Sequence, residues 1–378
     1  SYSCSYARVH TFNTAPYRLR GYFRRSGRFA TPAGRAACSL GIRMHMADAL
    51  LSPTIGLLGW GAAAAVLTIS SRRLRGDAQE SVVPLMGVLG AFVFAAQMIN
   101  FSIPGTGSSG HIGGGLLLAI LLGPQAAFIV IASVLTVQAL LFADGGLLAL
   151  GVNMVNLGFI PCYLAYPLVF KPLAGAAPSG RRLALATVVA TVVGLQLGAL
   201  GVVIETTASN ISSLPFESFA TLMLPIHLVI GLIEGIATAA LILVLRRARP
   251  ELIRVNAAPL GQRSLRPVLV GMGLAAVIAG GALSSFASEQ PDGLEWSIAR
   301  VAGEAGLPEA VNSVHSTLAK LQESLALLPD YSLPRSGADT SPPEASDARG
   351  TSLAGLLGGG VTLLVVAGLG WALRRRLR

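Results

Sequence analysis

Lysine is almost missing from this chain of 378 residues: only Lys171 and Lys320 occur, followed by Pro172 and Leu321. A G-x-x-x-x-G-K-[ST] phosphate loop needs Ser or Thr after its lysine, so none exists here, and any dependence on ATP must come from a partner. Charge of either sign is scarce as well, at 12% of residues against 53% hydrophobic, where soluble domains carry about a quarter charged. That excludes an ordinary soluble enzyme. Three cysteines, Cys4, Cys38 and Cys162, lie too far apart for a disulfide framework or a zinc cluster. No H-E-x-x-H pair occurs, which removes the helix-borne site of a metallohydrolase. The net charge of +10 does not indicate nucleic acid, because residues 1–43 hold eight arginines and no acid, while the remainder has 20 basic and 18 acidic side chains. This leader lacks the apolar core of a secretory signal. It resembles an organellar transit peptide and also translated sequence upstream of a misassigned start; the second reading is favoured.

Apolar runs long enough for a bilayer of about 30 Å recur at 52–71, 82–100, 147–170, 183–204, 219–245, 267–286 and 353–373. A further apolar stretch, 113–142, is divided by Gly123-Pro124 into a short and a long arm. Counting the arms as two passes places Arg72, Arg73 and Arg75, then Lys171, Arg181 and Arg182, then the arginines from Arg246 to Arg266, and finally the basic tail 374–378 on one side. The opposite loops 101–112, 143–146 and 205–218 then contain no lysine or arginine. The positive-inside rule therefore predicts nine crossings, with Met44 on the outer side and the C-terminus cytoplasmic. The expected fold class is an all-α integral membrane protein: a seven-crossing bundle over 44–245, a cytoplasmic linker at 246–266, and a two-span accessory hairpin at 267–373. The hairpin's outer loop, 287–352, carries ten acidic and four basic residues, and its stretch Pro334–Arg349 is expected to be poorly ordered.

Histidine is also rare, and His45 stands directly after a methionine. If Met44 is the N-terminus, its amine, the backbone nitrogen of His45 and the His45 imidazole can chelate one metal ion through fused five- and six-membered rings. A deprotonated amide ligand favours Ni(II) or Cu(II) over Zn(II), Mg(II) or Mn(II). His111 is the best candidate for a fourth nitrogen, in a stretch 105–115 with six glycines. Such irregular backbone survives in a membrane only where protein buries it or where it lines a cavity, so the loop is expected to pack inside the bundle. A solvated His45 and a His111 bonded to a carbonyl are the bland alternatives.

Met44-His45 with Asp48 and Leu51-Ser52-Pro53, the stretch Gly107-Ser108-Ser109-Gly110-His111-Ile112-Gly113-Gly114-Gly115, and the run from Gln138 through Asp144 to Asn153 and Asn156 resemble the substrate-binding membrane subunits of energy-coupling-factor cobalt and nickel transporters. Pro291-Asp292-Gly293-Leu294-Glu295 looks like the PDGLE signature of their small accessory subunit, here fused. The resemblance implies a planar four-nitrogen site from the Met44 amine, the His45 amide and imidazole, and the His111 imidazole. It also implies a transmembrane coupling protein and cytoplasmic ATP-binding subunits as partners, with Ni(II) or Co(II) as transported substrate and no prosthetic group. The chain is then the specificity component of an importer in the inner (plasma) membrane, with no catalytic residues of its own. Two departures stand out: Met46-Ala47 and Ala49 replace the central residues of the usual Met-His-Ile-Pro-Asp-Gly opening, and 43 residues precede Met44, where a peptide bond would consume the amine.

Asp48, Ser109, Gln138, Asp144, Asn153 and Asn156 are candidates for orienting the ligands from behind, or for plain helix–helix hydrogen bonds. His227 and Glu234 share a helix face and could pair through a water or another helix; a structural tie is expected rather than ligation. Gly59, Ala63, Gly87 and Ala91 recur at four-residue spacing and are expected to admit a helix of the coupling protein. The methionines of the spans read as packing residues, and His315 as solvent-exposed. Planar nitrogen donors and the Asp48 to Pro53 opening favour nickel. A membrane sensor or scaffold that binds a transition metal without transporting it is the alternative.

Overall fold

The computed structural model describes residues 45–77, 82–253, 264–302, 313–333 and 343–375. Met44 and residues 1–43 lie outside them. Apolar composition turns every expected span into helix, as it must where only an internally hydrogen-bonded backbone is stable. The helices are α1 (Pro53–Asp77), α2 (Val82–Gln97), α3 (Gly115–Leu122), α4 (Pro124–Leu141), α5 (Leu150–Ala174), α6 (Gly180–Ser209), α7 (Phe216–Ala248) and α8 (Arg266–Gly281). Two short polar helices, α9 (Gly293–Ala302) and α10 (Ser313–Leu325), precede the last span, α11 (Pro343–Arg375). Seven of these are long and apolar enough to cross a membrane, and α2 is a shorter apolar helix.

Gly123 divides α3 from α4 through a backbone at φ 82°, which an L side chain rarely adopts, and Pro124 starts the next helix without needing a donor. The two arms pack side by side. Eight residues reach about 12 Å, too short to cross alone, yet every residue of α3 is buried. The buried stretch Ser108–Gly110 and the buried coil at Gly113–Gly114 lead into it. The segment 101–112 is thus more than an open loop: β1 (Phe101–Ile103) and β2 (Ser108–Gly110) pair antiparallel, with Ser102 opposite Ser109. Helix α5 winds with wide π-type turns over Val155–Phe170 and holds Pro161 and Pro167.

Helix α4 is the buried centre, with 72% of its apolar window enclosed against 22% for α1. The small residues set how closely its neighbours approach. A Cβ on Gly59 would meet the backbone nitrogen of Val152 at 2.8 Å, and Ala63 is fully buried. Gly87 approaches the Leu363 carbonyl, and Ala91 packs with Ala276 and Ala279 of α8. The expected docking stripe is therefore consumed inside the chain, because its close-approach surface already holds α5, α8 and α11.

The accessory spans grip the bundle along their length. Gly280 of α8 and Gly355 of α11 cross backbone to backbone, Gly358 lies against the Phe94 ring, and α11 runs along α2. Helix α11 starts at Pro343 rather than 353, so the part of Pro334–Arg349 within the described residues is helical; the remainder, 334–342, lies outside them. His315 is buried at 6% exposure and its Nε2 bonds the Leu51 carbonyl at 2.9 Å, against the solvent-exposed reading. A single histidine on a polar helix carries no periodic signal of what it will dock against. Met86, Met98, Met154, Met223 and Met272 are all buried apolar residues.

The crossing of α1 and α5 is steric in origin. At Gly151 a Cβ would fall 2.3 Å from the Trp60 nitrogen. Gly151→Val is expected to force the helices apart at a cost of about 1–3 kcal/mol, seen in detergent as an unfolding midpoint lowered by at least roughly 2–4 °C.

Candidate metal centre

The chain enters the bundle ahead of α1 as a largely buried segment with one 3-10 turn at Asp48–Leu50, and side chains of other elements pair with its main chain. Asn153 of α5 accepts from the Met46 N–H through Oδ1 at 3.3 Å and donates Nδ2 to the Met46 carbonyl at 3.1 Å. The Gly146 N–H also donates to that carbonyl, at 3.0 Å. Asp48 accepts from the Ala149 N–H at 2.9 Å, just before the start of α5, where a carboxylate is favoured. Burial raises the Asp48 pKa above its ordinary value, and the N–H groups of Ala149, Leu148 and Leu147 offset part of that rise. Gly146 has no room for a side chain, since its Cβ would meet the Asp48 carboxyl group. Ser52 Oγ accepts from the Ile55 N–H and caps α1, with Pro53 opening the helix.

This threading places His45, 5% exposed, against α4. Its Nε2 lies 2.9 Å from Gln138 Oε1 and 3.9 Å from Asp144 Oδ2. Its Nδ1 is buried without a hydrogen-bond partner. The His111 ring stands with its centroid 5.5 Å from that of His45, at 73° to it. Both rings line an internal cavity of about 100 Å³, together with Asn153, Asn156, His227 and Glu234. Among the described residues no three His, Cys, Asp or Glu side chains converge in metal-ligand geometry. A metal held by the two imidazoles would therefore draw its remaining donors from groups other than a third side chain of these types.

The other candidate residues take different places. Gln138 touches His45 and Asn153 fixes the Met46 peptide. Asn156 lines the cavity but donates Nδ2 to Glu205 Oε2 at 2.7 Å. Ser109 faces the accessory part, its N–H bonding the Pro291 carbonyl at 2.8 Å and its hydroxyl the Gln290 carbonyl at 2.7 Å. His227 and Glu234 do not pair. The His227 Nδ1 bonds the Met223 carbonyl of its own helix at 2.8 Å, while Glu234 accepts the N–H groups of Gly113 and Gly114 at 2.9 Å each. Two adjacent glycine N–H groups outcompete one weakly basic ring for the buried carboxyl, because both of its oxygens are then satisfied.

Three residues at the site escaped the sequence reading. Gln97 ends α2, fully buried, and donates to the Gly113 carbonyl at 2.9 Å; a lone amide in an apolar span was its signal. Asp292 of the PDGLE stretch is buried and caps α9 through the Glu295 N–H at 2.7 Å. Its pKa is pushed up to about 7, by burial above all and also by the nearby Asp144, against the opposing Glu295 N–H and His45. Tyr331 is buried, stacks on Phe142 and donates its hydroxyl to Asp144 Oδ2 at 2.5 Å. Nothing in the local sequence announces a partner nearly two hundred positions away. The accessory part reaches the site at further points: Gln322 donates to the carbonyls of Ala139 and Gly145, and Trp296 Nε1 to that of Thr106 at 3.0 Å.

The pairing of Asn153 with Met46 carries a direct test. Asn153→Leu leaves the buried Met46 N–H unsatisfied, at about 1–3 kcal/mol, while the Met46 carbonyl keeps the Gly146 N–H. A lowered unfolding midpoint and new protease cleavage around residues 45–52 are expected.

Comparison with known proteins agrees with this architecture. Residues 45–252 match the family model described as cobalt uptake substrate-specific transmembrane region, and residues 266–375 match the PDGLE domain. The "Putative fused nickel transport protein NikMN" of Archaeoglobus fulgidus is 36% identical over 335 residues, covering 89% of this chain and 99% of that protein. The fused nickel transport protein NikMN of Rhodobacter capsulatus is 31% identical, over 86% of this chain and 96% of its own. The crystal structure of a truncated transition metal transporter shares 30% identity, covers 54% of this chain and 99% of that one, and superposes with a TM-score of 0.48. The chain is a multi-pass membrane protein that belongs to the nickel and cobalt uptake family of substrate-specific transmembrane proteins, with a PDGLE domain in the same polypeptide.

Proposed function

We propose that the chain is the substrate-capture component of an ATP-driven energy-coupling-factor importer for Ni(II) or Co(II). The observation that carries this reading is the His45 Nδ1, buried, unpartnered and set beside the His111 ring on a shared cavity. Nδ1 is the ring nitrogen that closes a six-membered chelate with the residue's own backbone nitrogen. The Met44 amine then adds a five-membered ring and His111 the fourth donor. Nitrogen lies about 2 Å from such ions, so one ion fits between the two rings at their separation. Strong-field planar nitrogen suits Ni(II), and the relatives that span nearly the whole chain bear the names of nickel transport proteins; nickel is the favoured substrate.

The capture domain is taken as 44–245, the accessory domain as 267–373 and the linker between them as 246–266. The absence of a phosphate loop from the sequence supports separate ATP-binding subunits, reached through a transmembrane coupling protein. The arginine distribution supports an inner (plasma) membrane protein with its Met44 end outside and its C-terminus in the cytoplasm. Release of the ion then requires inward and outward states of different affinity, because a ligand that binds both equally shifts nothing.

The test begins with N-terminal sequencing of membrane-extracted chain, followed by Ni(II) and Co(II) titration of the same material. A start at Met44 with a free amine is expected. His45→Ala and His111→Ala should each weaken binding by more than the roughly 10–100-fold typical of losing a group behind a ligand. Tight binding with residues 1–43 still attached removes the amine from the site. Cells expressing the chain should accumulate nickel only alongside the coupling protein and ATPases; binding without accumulation in their presence supports the sensor or scaffold instead.

A further inference from the structure

Four hydrogen bonds in series join His45 to Glu234, and each runs in the same direction. His45 Nε2 lies 2.9 Å from Gln138 Oε1, Gln138 Nε2 donates to Gln97 Oε1 at 2.9 Å, and Gln97 Nε2 donates to the Gly113 carbonyl at 2.9 Å. The same peptide's other end, the Gly114 N–H, donates to Glu234 Oε1 at 2.9 Å, while the Gly113 N–H takes Oε2. The series passes through α4, α2, the glycine-rich coil and α7.

Its direction is imposed from the far end. A carbonyl oxygen only accepts, so Gln97 must turn its NH₂ toward Gly113 and its oxygen toward Gln138. Gln138 must then answer with its own NH₂, which leaves its oxygen facing His45. Reversing either amide would set oxygen against oxygen in a fully buried place, since Gln97 and Gln138 are both 0% exposed. At such a place an unmade bond costs most. The peptide between Gly113 and Gly114 is held at both poles, and bonds in series strengthen one another. The other group facing Nε2 is Asp144 Oδ2 at 3.9 Å, which already accepts the Tyr331 hydroxyl. Nε2 therefore meets acceptors only.

From these contacts among the described residues, we propose that Gln97 and Gln138 are positioning residues that hold the neutral His45 imidazole as its Nε2–H tautomer, so that Nδ1 presents a bare lone pair to the incoming ion. The role in metal capture rests on the function proposed above; the tautomer itself does not. With Nε2 committed, the other nitrogen is left unprotonated in the apo protein, and the ion meets a ligand that needs no rearrangement of its proton. Gln97 never touches the ion and acts through Gln138.

Solid-state nitrogen NMR of full-length, metal-free protein with isotope-labelled histidine, in bilayers at about pH 8.5, where an ordinary imidazole is neutral, reads the tautomer directly. The His45 signals are assigned by their loss in His45→Ala. Protonated Nε2 and bare Nδ1 are expected; a proton on Nδ1 overturns the proposal without any variant. Gln97→Leu and Gln138→Leu should each mix the two tautomers and weaken Ni(II) binding by about 10–100-fold. The double variant should lose no more than about twofold beyond the worse single one, because both act through one series. Multiplying losses, or a mixed tautomer with wild-type affinity, overturn it. Gln97→Met stands in if the leucine variant does not fold. Wild-type protein that binds neither Ni(II) nor Co(II) defeats the capture function, while the spectrum still decides the tautomer.

Discussion

The whole arrangement depends on one constraint: a main chain that leaves helix inside an apolar medium must find every hydrogen bond within the protein. Two non-helical segments enter this bundle, residues 45–52 and the coil before α3. In the first, Asn153 and Gly146 hold the Met46 main chain and His315 the Leu51 carbonyl; the second is satisfied by Gln97, Glu234 and the PDGLE stretch. The polar residues of the spans are therefore the complement of the irregular backbone. The two imidazoles meet where the segments meet, and His45 Nδ1 is among the buried atoms of the described residues that these bonds leave over.

The helices meet that constraint by geometry rather than by hydrophobicity, which gives no preference for helix over lipid. Gly59 against Val152, Gly280 against Gly355 and Gly358 against Phe94 let backbones come close enough for dispersion contacts to accumulate. Their positions also explain why a four-residue glycine and alanine spacing in α1 and α2 does not mark an outward docking face. The same chemistry serves any helix neighbour, and the nearest ones in this chain arrive first.

Helix existence was legible because long apolar runs have one backbone solution in a membrane, and Gly123-Pro124 marked where 113–142 divides into two helices; the eight residues of α3 are too short for the separate crossing that the arginine pattern counted. Candidate residues were legible where rarity carried information: few histidines, and amides isolated among apolar neighbours. Pairings were not. The expected His227 to Glu234 contact follows from helical spacing alone, yet two glycine N–H groups from a segment 120 positions away take the carboxyl instead. His315 failed in the same way, since its partner is a main-chain carbonyl at Leu51, and a main-chain group has no sequence signature. Gln97 was as visible as Gln138 but lay outside any motif.

The fused part also supplies polar partners to the first, so its contribution to the site is energetic as well as steric. His315 serves the Leu51 carbonyl, the N–H groups of Leu327 and Leu328 serve Leu141, and that of Asp330 serves Phe142. Gln322 serves Ala139 and Gly145, and Tyr331 serves Asp144. Apart from Leu51, which lies on the entering segment itself, these acceptors sit at the end of α4 and in the turn that follows it, on the segment that carries Gln138 and flanks His45. A buried acceptor stripped of its donor costs about 1–3 kcal/mol unless water replaces the bond. The turn before α5 therefore owes its fixed shape to residues 313–331 as much as to its own glycines. Since the N–H groups of Gly146 and Ala149 in that region hold the entering chain at Met46 and Asp48, the accessory part and the ligand-bearing segment are two sides of one hydrogen-bonded turn.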